Sequence, residues 1–320
     1  MAERAHLDFE RPITELEKKI SDMKDFSVGE SVELSGEIAS LQKKLEKLRG
    51  DVYSKLTRWQ KVQIARHPLR PYAMDYIRLM TEGFLELHGD RGFGDDKAIV
   101  GGFARIGGKS LMIIGQQKGR DTKEKLIHNF GMMHPEGYRK ALRLFYMAQK
   151  FKTPILILID TPGAYPGIEA EERGQAEAIA KNIREMAVLE VPIVVVIIGE
   201  GASGGALGIG LGDRIIMLEY AWYSVISPEG CAAILWRDAS KAPDAAEALR
   251  VTSDDVLELG VIDQIIPEPS GGAHNDPAKT AESIKIEILK SFSELEKLSA
   301  EQLIEQRIKK YRIMGVFDEK

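Results

Sequence analysis

Cysteine is almost absent from this 320-residue chain, in which Cys231 is the only one. A single thiol cannot form an internal disulfide. Together with only six scattered histidines, it also cannot supply the ligands of a cysteine-rich zinc site. The composition therefore predicts a cytoplasmic protein that binds no metal ion.

The chain also lacks long hydrophobic runs. Its purely apolar stretches, such as Ile193 to Ile198, are far shorter than the roughly 18 to 20 residues of a membrane-spanning helix. The first residues, among them Glu3, Arg4 and Asp8, do not form the apolar core of a signal peptide, so we do not expect export.

Neither sign of charge dominates. Lysine and arginine (44) nearly balance aspartate and glutamate (49), and the net charge is −5. Because there is no excess of positive charge, the sequence predicts neither a nucleic acid nor a membrane as a partner.

The charge-rich segment from Pro12 to Leu48 contains apolar residues at helical spacing. One set is Ile13, Leu16 and Ile20, and the other is Leu41, Leu45 and Leu48. This spacing predicts two amphipathic helices, interrupted near Ser27, Gly29, Ser31 and Ser35, that form a hairpin. We predict a helical arm over residues 1–75, joined by a polar and aromatic connector (Trp59 to Tyr76) to a domain over residues 76–320.

Strands and helices alternate along the rest of the chain. Gly107-Gly108 joins two β-rich runs, Ala98 to Ile106 and Ser110 to Gln116, as expected of a hairpin. The elements predicted beyond it are helices over Glu136 to Lys150, Glu169 to Leu189, Ser203 to Leu211, from Pro228, over Thr252 to Leu259 and within Pro277 to Met314, and strands over Pro154 to Asp160, Pro192 to Ile198, Arg214 to Leu218 and Val261 to Ile266. Such alternation predicts an α/β fold, with Gly271 to Asn275 as a mobile surface loop.

Two predicted strands run into glycine-rich corners, Asp160 to Gly167 and Gly199 to Gly205. Loops at the carboxyl ends of strands form the binding crevice of α/β sheets, and glycines let a ligand approach the backbone N–H groups. Gly204 and Gly205 also open a helix, so their amides predict a site for an anion or oxyanion. Close packing of the helix on the strand is the alternative explanation for the small residues.

Gly201 to Gly205 also matches the G-x-S-x-G nucleophile elbow, which makes a serine hydrolase the sharpest competing hypothesis. Ser203 would need a histidine base, and the only histidine after it is His274, in the predicted mobile loop. His128 and His134 precede the serine and are not excluded by order. The geometry expected of His274 argues against hydrolysis.

Lys118 and Arg120 follow the second hairpin strand. They are candidates to contact a carboxylate or phosphate of a substrate, and a solvated basic turn is the alternative.

Five strings, all between Gly115 and Trp236, carry a resemblance to a known family. They are GQQKGRDTKEK, HPEGYRKALRL, DTPGAYPGIEAEERGQ, GEGASGGALGIG and SPEGCAAILW. They resemble the carboxyltransferase α subunits of bacterial-type acetyl-CoA carboxylase, a biotin-dependent family. The flanking helices agree with that family, so the likeness covers nearly the whole chain.

The resemblance implies a crotonase/Clp-protease-like spiral of ββα units, with the N-terminal helical hairpin and C-terminal helices attached. It implies transfer of the carboxyl group from carboxybiotin to acetyl-CoA, giving malonyl-CoA for fatty acid biosynthesis, within an ATP-dependent complex. The implied partners are a zinc-containing β subunit in an α2β2 assembly, a biotin carboxyl carrier protein and biotin carboxylase.

The family's oxyanion-hole role carries over to the backbone N–H groups of Gly204 and Gly205. The expected binding residues for carboxybiotin or substrate around them are Gly163, Ala164, Gly167, Gly201 and Ser203. Two rival functions remain: a stand-alone crotonase-type hydratase, isomerase or decarboxylase of acyl-CoA, and a non-catalytic scaffold.

Overall fold

A computed structural model describes residues 6–30 and 34–315 of the chain. Its helices are α1 (Arg11–Glu30), α2 (Ser35–Tyr53), α3 (Arg58–Ala65), α4 (Ala73–Met80), α5 (Thr122–Ile127), α6 (Pro135–Lys150), α7 (Ile168–Glu172), α8 (Gln175–Ala187), α9 (Ser203–Leu207), α10 (Pro228–Trp236), α11 (Ala242–Leu249), α12 (Ser253–Glu258), α13 (Pro277–Leu295) and α14 (Ala300–Arg312). Its strands are β1 (Glu82–Glu86), β2 (Ile99–Ile106), β3 (Lys109–Gln116), β4 (Ile155–Thr161), β5 (Ile193–Ala202), β6 (Arg214–Leu218), β7 (Trp222–Ser224) and β8 (Gln264–Ile266).

The strands form one mixed sheet in the order β1-β2-β3-β4-β5-β6-β8, with β7 added beside the end of β5. The β1–β2 and β2–β3 pairs are antiparallel, and β2–β3 is the predicted hairpin. From β3 to β8 the neighbours are parallel, because helices connect them. Every residue of β4 and β5 is buried, which explains why both strands read as nearly continuous apolar runs.

The predicted N-terminal helices exist as α1 and α2, and they pack on each other. Their small core contains Ile13, Ile20 and Leu45. Ser27 and Gly29 lie inside α1, which continues to Glu30, so the helix is not interrupted there. Ser31 lies outside the described residues, and α2 begins at Ser35.

The predicted connector from Trp59 to Tyr76 is wrong, because this segment forms α3 and the start of α4. Thr57 caps α3 in a capping box with Gln60, a local signal that favours a helix start. Val62 and Ala65 of α3 are buried against the end of β5. The boundary at residue 75 between arm and domain stays a prediction, and this packing favours an arm that ends earlier.

Two predicted helices are shorter than expected. The helix over Glu169 to Leu189 is broken into α7 and α8 at Gly174, whose φ of 82° is left-handed. The helix from Ser203 ends at Leu207 rather than Leu211, and the glycines beyond it make a tight turn into β6.

The loop from Gly271 to Asn275 is not the mobile surface loop that its composition predicts. Ala273 is fully buried, and its N–H donates to Glu268 at 2.6 Å. Glu268 forms a buried ion pair with Arg70, and the ring of His274 stacks on that of His67 at 3.8 Å. The loop is held in place because it covers this buried charge.

The C-terminal helix α14 contains a buried arginine, Arg307, that binds residues beside β5 and β6. Both oxygens of the Asp213 carboxylate accept from Arg307, at 2.8 and 2.9 Å. The same guanidinium donates to three backbone carbonyls at the end of α8 and the turn that follows, those of Met186, Leu189 and Val191. One side chain therefore satisfies most of the polar groups of the turn that leads into β5.

Candidate active site

The two glycine-rich corners lie side by side, because they follow neighbouring parallel strands. Thr161 at the end of β4 pairs with Gly201 in β5. The carboxyl ends of β3, β4 and β5 therefore share one edge of the sheet, the usual place for a site in such folds.

The corners are in direct contact. A Cβ atom at Gly205 would lie 2.3 Å from the carbonyl carbon of Gly163 and 2.7 Å from the nitrogen of Ala164. Only glycine permits this approach, so the structure brings together Gly163, Ala164 and Gly205. The close packing considered as an alternative from sequence is thus present at Gly205, which is itself buried.

Helix α9 starts at the second corner, and Ser203 and Gly204 at its beginning are open to solvent while Gly205 is buried. Ser203 is exposed and has a φ of 56°, a conformation that residues other than glycine seldom adopt. The first N–H groups of a helix have no partner within it. Among the described residues, the amides of Gly204 and Gly205 donate to no group outside the helix, so both remain available as donors.

A pocket of about 470 Å³ opens beside this turn. Its lining is mainly apolar and comprises Ser203, Gly204, Leu207, Tyr223, Ser224, Val225, Leu249, Arg250, Val256, Leu259 and Val261. Gly204 is part of the pocket wall, whereas Gly205 lies behind it against the first corner. The pocket lining contains no histidine, so nothing in it can act as the base of a serine nucleophile.

The other predicted binding residues are spread over the two corners. Gly201 is buried in β5, where a Cβ would lie 2.7 Å from the ring of Tyr223. Gly167 caps α7, and its nearest side chains are Tyr165 and Glu169 rather than α9. Ser203 and Gly204 border the pocket, while Gly167 does not.

Lys118 does not stand free at this edge of the sheet. Its ammonium lies 2.6 Å from Oδ1 of Asp160 and 2.6 Å from Oε2 of Glu200, and all three side chains are nearly buried. Arg66 donates to the other oxygen of Glu200 at 2.7 Å and also pairs with Glu229. A substrate anion would have to share Lys118 with two carboxylates of the chain itself.

The charges of this cluster shift the pKa values of its members. Burial opposes ionisation of Glu200, but Lys118 and Arg66 outweigh it and lower its pKa to about 2. Burial raises the pKa of Asp160 against the opposite pull of Lys118. Burial likewise disfavours the ammonium of Lys118, yet the two carboxylates raise its pKa above the ordinary value. Glu200 is therefore a paired carboxylate that makes a poor proton acceptor.

Arg120, the second predicted anion contact, lies farther out. Its guanidinium pairs with Asp75 at 2.5 Å and lies over the ring of Tyr72, 4.9 Å from the ring centre. It lines a second pocket of about 280 Å³ together with Lys118, Phe130 and Glu200. Arg120 thus lies in the strand-end region with Lys118 and Glu200, and it does not line the pocket beside Gly204.

Asp160 and Glu200 were not recognised from sequence as members of a charged cluster. Asp160 and Glu200 lie near the ends of β4 and β5, beyond runs that are wholly apolar, and Lys118 lies two residues after β3, so three charges meet at one edge of the sheet. A charged residue at the end of a buried apolar run is the signal that would have found them.

The described part of the chain offers neither a cluster of metal-binding side chains nor a membrane-spanning helix. Residues 6–30 and 34–315 contain no group of three or more His, Cys, Asp or Glu side chains placed to hold a metal ion. None of the helices in these ranges is long and apolar enough to cross a membrane.

Comparison with known proteins shows similarity over the full length. Residues 6–315 match the model of the family described as acetyl co-enzyme A carboxylase carboxyltransferase-like. The chain is 57% identical to the acetyl-coenzyme A carboxylase carboxyl transferase subunit alpha of Geobacter metallireducens, with 100% of both chains covered. It is also 57% identical to the protein of that name from Chlorobaculum parvum, covering 100% of this chain and 99% of the relative.

Solved structures share the fold at low sequence identity. A malonate decarboxylase hetero-tetramer from Pseudomonas in complex with coenzyme A aligns with a TM-score of 0.59 and 14% identity, over 73% of this chain and 91% of that one. Transcarboxylase 12S aligns with a TM-score of 0.52 and 21% identity, over 65% of this chain and 40% of that one. The crotonase-like α/β fold expected from the sequence is confirmed.

Proposed function

Since the chain belongs to the acetyl-CoA carboxylase carboxyltransferase family, as an α subunit, we propose that the first turn of α9 is the part of the active site that this subunit contributes. The chain is a transferase subunit, and its reaction is carboxyl transfer from carboxybiotin to acetyl-CoA, giving malonyl-CoA. The single observation that carries the site is the partly exposed Gly204 in the first turn of α9, which lines the pocket beside that helix.

The residues around the pocket suit a ring system with a polar edge. Leu207, Val225 and Leu249 give an apolar wall, and Gly204 lines the pocket together with polar residues that include Ser203, Ser224 and Arg250. Carboxybiotin, carried by a separate protein, would supply the carboxyl group and leave negative charge on an oxygen of its ring. The N–H groups of Gly204 and Gly205 would donate to an oxygen of that kind, or to the thioester oxygen when it becomes an enolate.

These amides are preorganised for the task. Contact between Gly205 and Gly163 fixes the second corner against the first, so the donors do not have to move as charge develops. No side chain of the pocket is needed as a base, because the oxygen left on the ring can itself take the proton from acetyl-CoA. The low pKa of Glu200 agrees with this division of roles.

A partner subunit is part of the proposal, and the β subunit in an α2β2 assembly is the specific form we propose. Large apolar side chains are exposed at the pocket and at the end of α10: Val225, which lines the pocket, is 78% exposed, and Ile234, Leu235 and Trp236 of α10 are 72%, 63% and 40% exposed. Exposed apolar groups of this size, adjacent in the chain, are typical of a protein interface. The carrier protein and biotin carboxylase complete the proposed complex.

The backbone N–H of Gly204 can be removed by substitution with proline, which has no N–H. Gly204→Pro takes away one N–H in the first turn of α9, where that N–H has no helical partner. We expect turnover of the complex, reconstituted with β subunit and carrier, to fall about 100- to 1,000-fold. Malonyl-CoA formation is the measurement.

Gly204→Ala is the matched control, since it keeps the N–H. A Cβ there would meet only Ile179, at an ordinary contact distance of 3.4 Å. Activity should stay near that of the natural protein. If Gly204→Pro assembles and turns over as fast as Gly204→Ala, the amide has no catalytic role and the proposed site is wrong.

A stand-alone acyl-CoA hydratase, isomerase or decarboxylase predicts turnover by this chain alone. We expect the purified chain to convert no acyl-CoA until a β subunit and the biotin carrier are added. Turnover of an acyl-CoA without them would favour the rival function.

A further inference from the structure

Gln116, the last residue of β3, links the two glycine-rich corners through its side-chain amide. Its Nε2 donates to the carbonyl of Gly205 at 2.7 Å, and its Oε1 accepts from the N–H of Asp160 at 3.1 Å. The side chain is fully buried. One end therefore holds α9, and the other holds the start of the first corner.

The orientation of this amide follows from chemistry. The partner at Gly205 is a carbonyl, which can only accept, and the partner at Asp160 is a backbone N–H, which can only donate. A primary amide is the side-chain group that offers one donor and one acceptor at the spacing needed. A carboxylate would place an acceptor against the Gly205 carbonyl, and an apolar side chain would leave both backbone groups buried without a partner.

The hydrogen bond from Gln116 is made to the carbonyl of Gly205, in the same short backbone segment as the proposed N–H donors of Gly204 and Gly205. Gly205 already touches Gly163, which prevents α9 from moving toward the first corner. Contact alone does not prevent movement away from it. Gln116 supplies the missing attraction, since it holds the Gly205 carbonyl from the β3 side.

We propose that Gln116 is a positioning residue for carboxyl transfer, which sets the separation of the two corners and thereby the direction of the Gly204 and Gly205 amides. It touches neither substrate and acts through the backbone of α9. The inference rests on the proposed function, because it assigns a task to Gln116 only if these amides stabilise charge in the reaction.

Gln116→Met tests it in the reconstituted complex. Methionine has nearly the same size and shape but neither donates nor accepts strongly, so the link between the corners is lost while the volume is retained. We expect kcat to fall about 100-fold, the effect of a displacement of about 1 Å at a reacting centre. The KM values for acetyl-CoA and for the carrier should change much less than kcat, because the substitution removes no side chain that lines the pocket beside α9.

The adjacent Gln117 offers a matched control. Its amide also makes two hydrogen bonds to backbone groups, from the N–H of Met74 at 3.0 Å and to the carbonyl of Lys118 at 2.7 Å, and its side chain is 9% exposed. Gln117→Met therefore loses the same chemistry without touching Gly205 or Asp160. We expect a similar fall in thermal midpoint for the two variants and a loss of kcat only in Gln116→Met.

The outcomes separate this inference from the proposed function. If Gln116→Met and Gln117→Met have equal kcat, or if the loss in Gln116→Met lies in KM alone, Gln116 is only structural and the inference is overturned. If Gly204→Pro is inactive in the same assay, the proposed function survives that result. Should Gln116→Met fail to assemble, Gln116→Asn decides, because it keeps the amide but cannot reach both partners, and an undiminished kcat would again overturn the inference.

Discussion

The strand-end cluster and the N-terminal arm both contain an ion pair of almost the same length, in very different surroundings. Lys118 lies 2.6 Å from Asp160, and the two side chains are 12% and 2% exposed. Arg49 of α2 lies 2.5 Å from Glu17 of α1, with exposures of 33% and 27%. The separation of the charges is therefore not what distinguishes the two regions. Burial determines how much free energy of unfolding is lost when one partner of the pair is removed.

The largest effect is expected for Lys118→Met. It would leave the carboxylates of Asp160 and Glu200 buried with half of their partners gone, which costs about 3–5 kcal/mol. Denaturant unfolding of the purified chain measures the change. A loss below that of any arm variant would mean that water reaches the cluster, and would remove the contrast between the regions.

The next effect concerns acid stability. The folded-state pKa of Glu200 is about 2, below the ordinary value of 4.5, so its pairing stabilises the fold fully above about pH 4.5 and progressively less as the pH falls toward 2. Glu200→Gln should remove this part of the pH dependence, and should cost less at neutral pH than Lys118→Met because Lys118 keeps Asp160. Unfolding free energies of both proteins across this pH range test the sign. An unchanged slope would show that Glu200 is not preferentially ionised in the fold.

A smaller effect, confined to the arm, is expected for Leu45→Ala. Leu45 is one of three buried hydrophobic side chains between α1 and α2, and its truncation should cost about 2 kcal/mol. Hydrogen exchange should become faster in α1 and α2 and remain unchanged in β4 and β5, because the arm has its own core. Equal acceleration in the sheet would mean that arm and domain unfold together.

The smallest effect is expected for Arg49→Ala. Its pair with Glu17 is partly open to water, so the loss should be about 0.5 kcal/mol and should shrink further in salt. Thermal unfolding at low and high ionic strength is the measurement. A loss of stability close to that of Lys118→Met would show that the N–O distance, rather than burial, determines how much these ion pairs stabilise the fold.

The hydrophobic periodicity and the turn residues of the sequence were sufficient to predict most of the helices and strands. The strand predicted over Arg214 to Leu218 has those bounds in the structure, and the Gly107-Gly108 hairpin is present. The failures have local causes: Gly174 breaks a periodic helix, and the Gly271 to Asn275 loop is rich in turn residues but covers a buried ion pair. Composition describes a segment's own preferences, and burial by distant residues overrides them.

The candidate site was predictable only where its chemistry lies in the backbone. Glycine spacing marked both corners, and their contact agrees with strands that are neighbours in the sheet. The roles of Gln116, Asp160 and Glu200 depend on partners 40 to 134 residues away. Such pairings depend on strand register, which hydrophobic patterns do not specify residue by residue.

Arg307 is synthesised long after the residues that it contacts in the folded protein. It is the partner of Asp213, which precedes it by 94 residues. At a translation rate of about 5–20 residues per second, the ribosome needs roughly 5–20 s to travel from one to the other. During that interval Asp213 and the carbonyls of the turn before β5 have been synthesised, but the guanidinium that satisfies them in the folded protein has not.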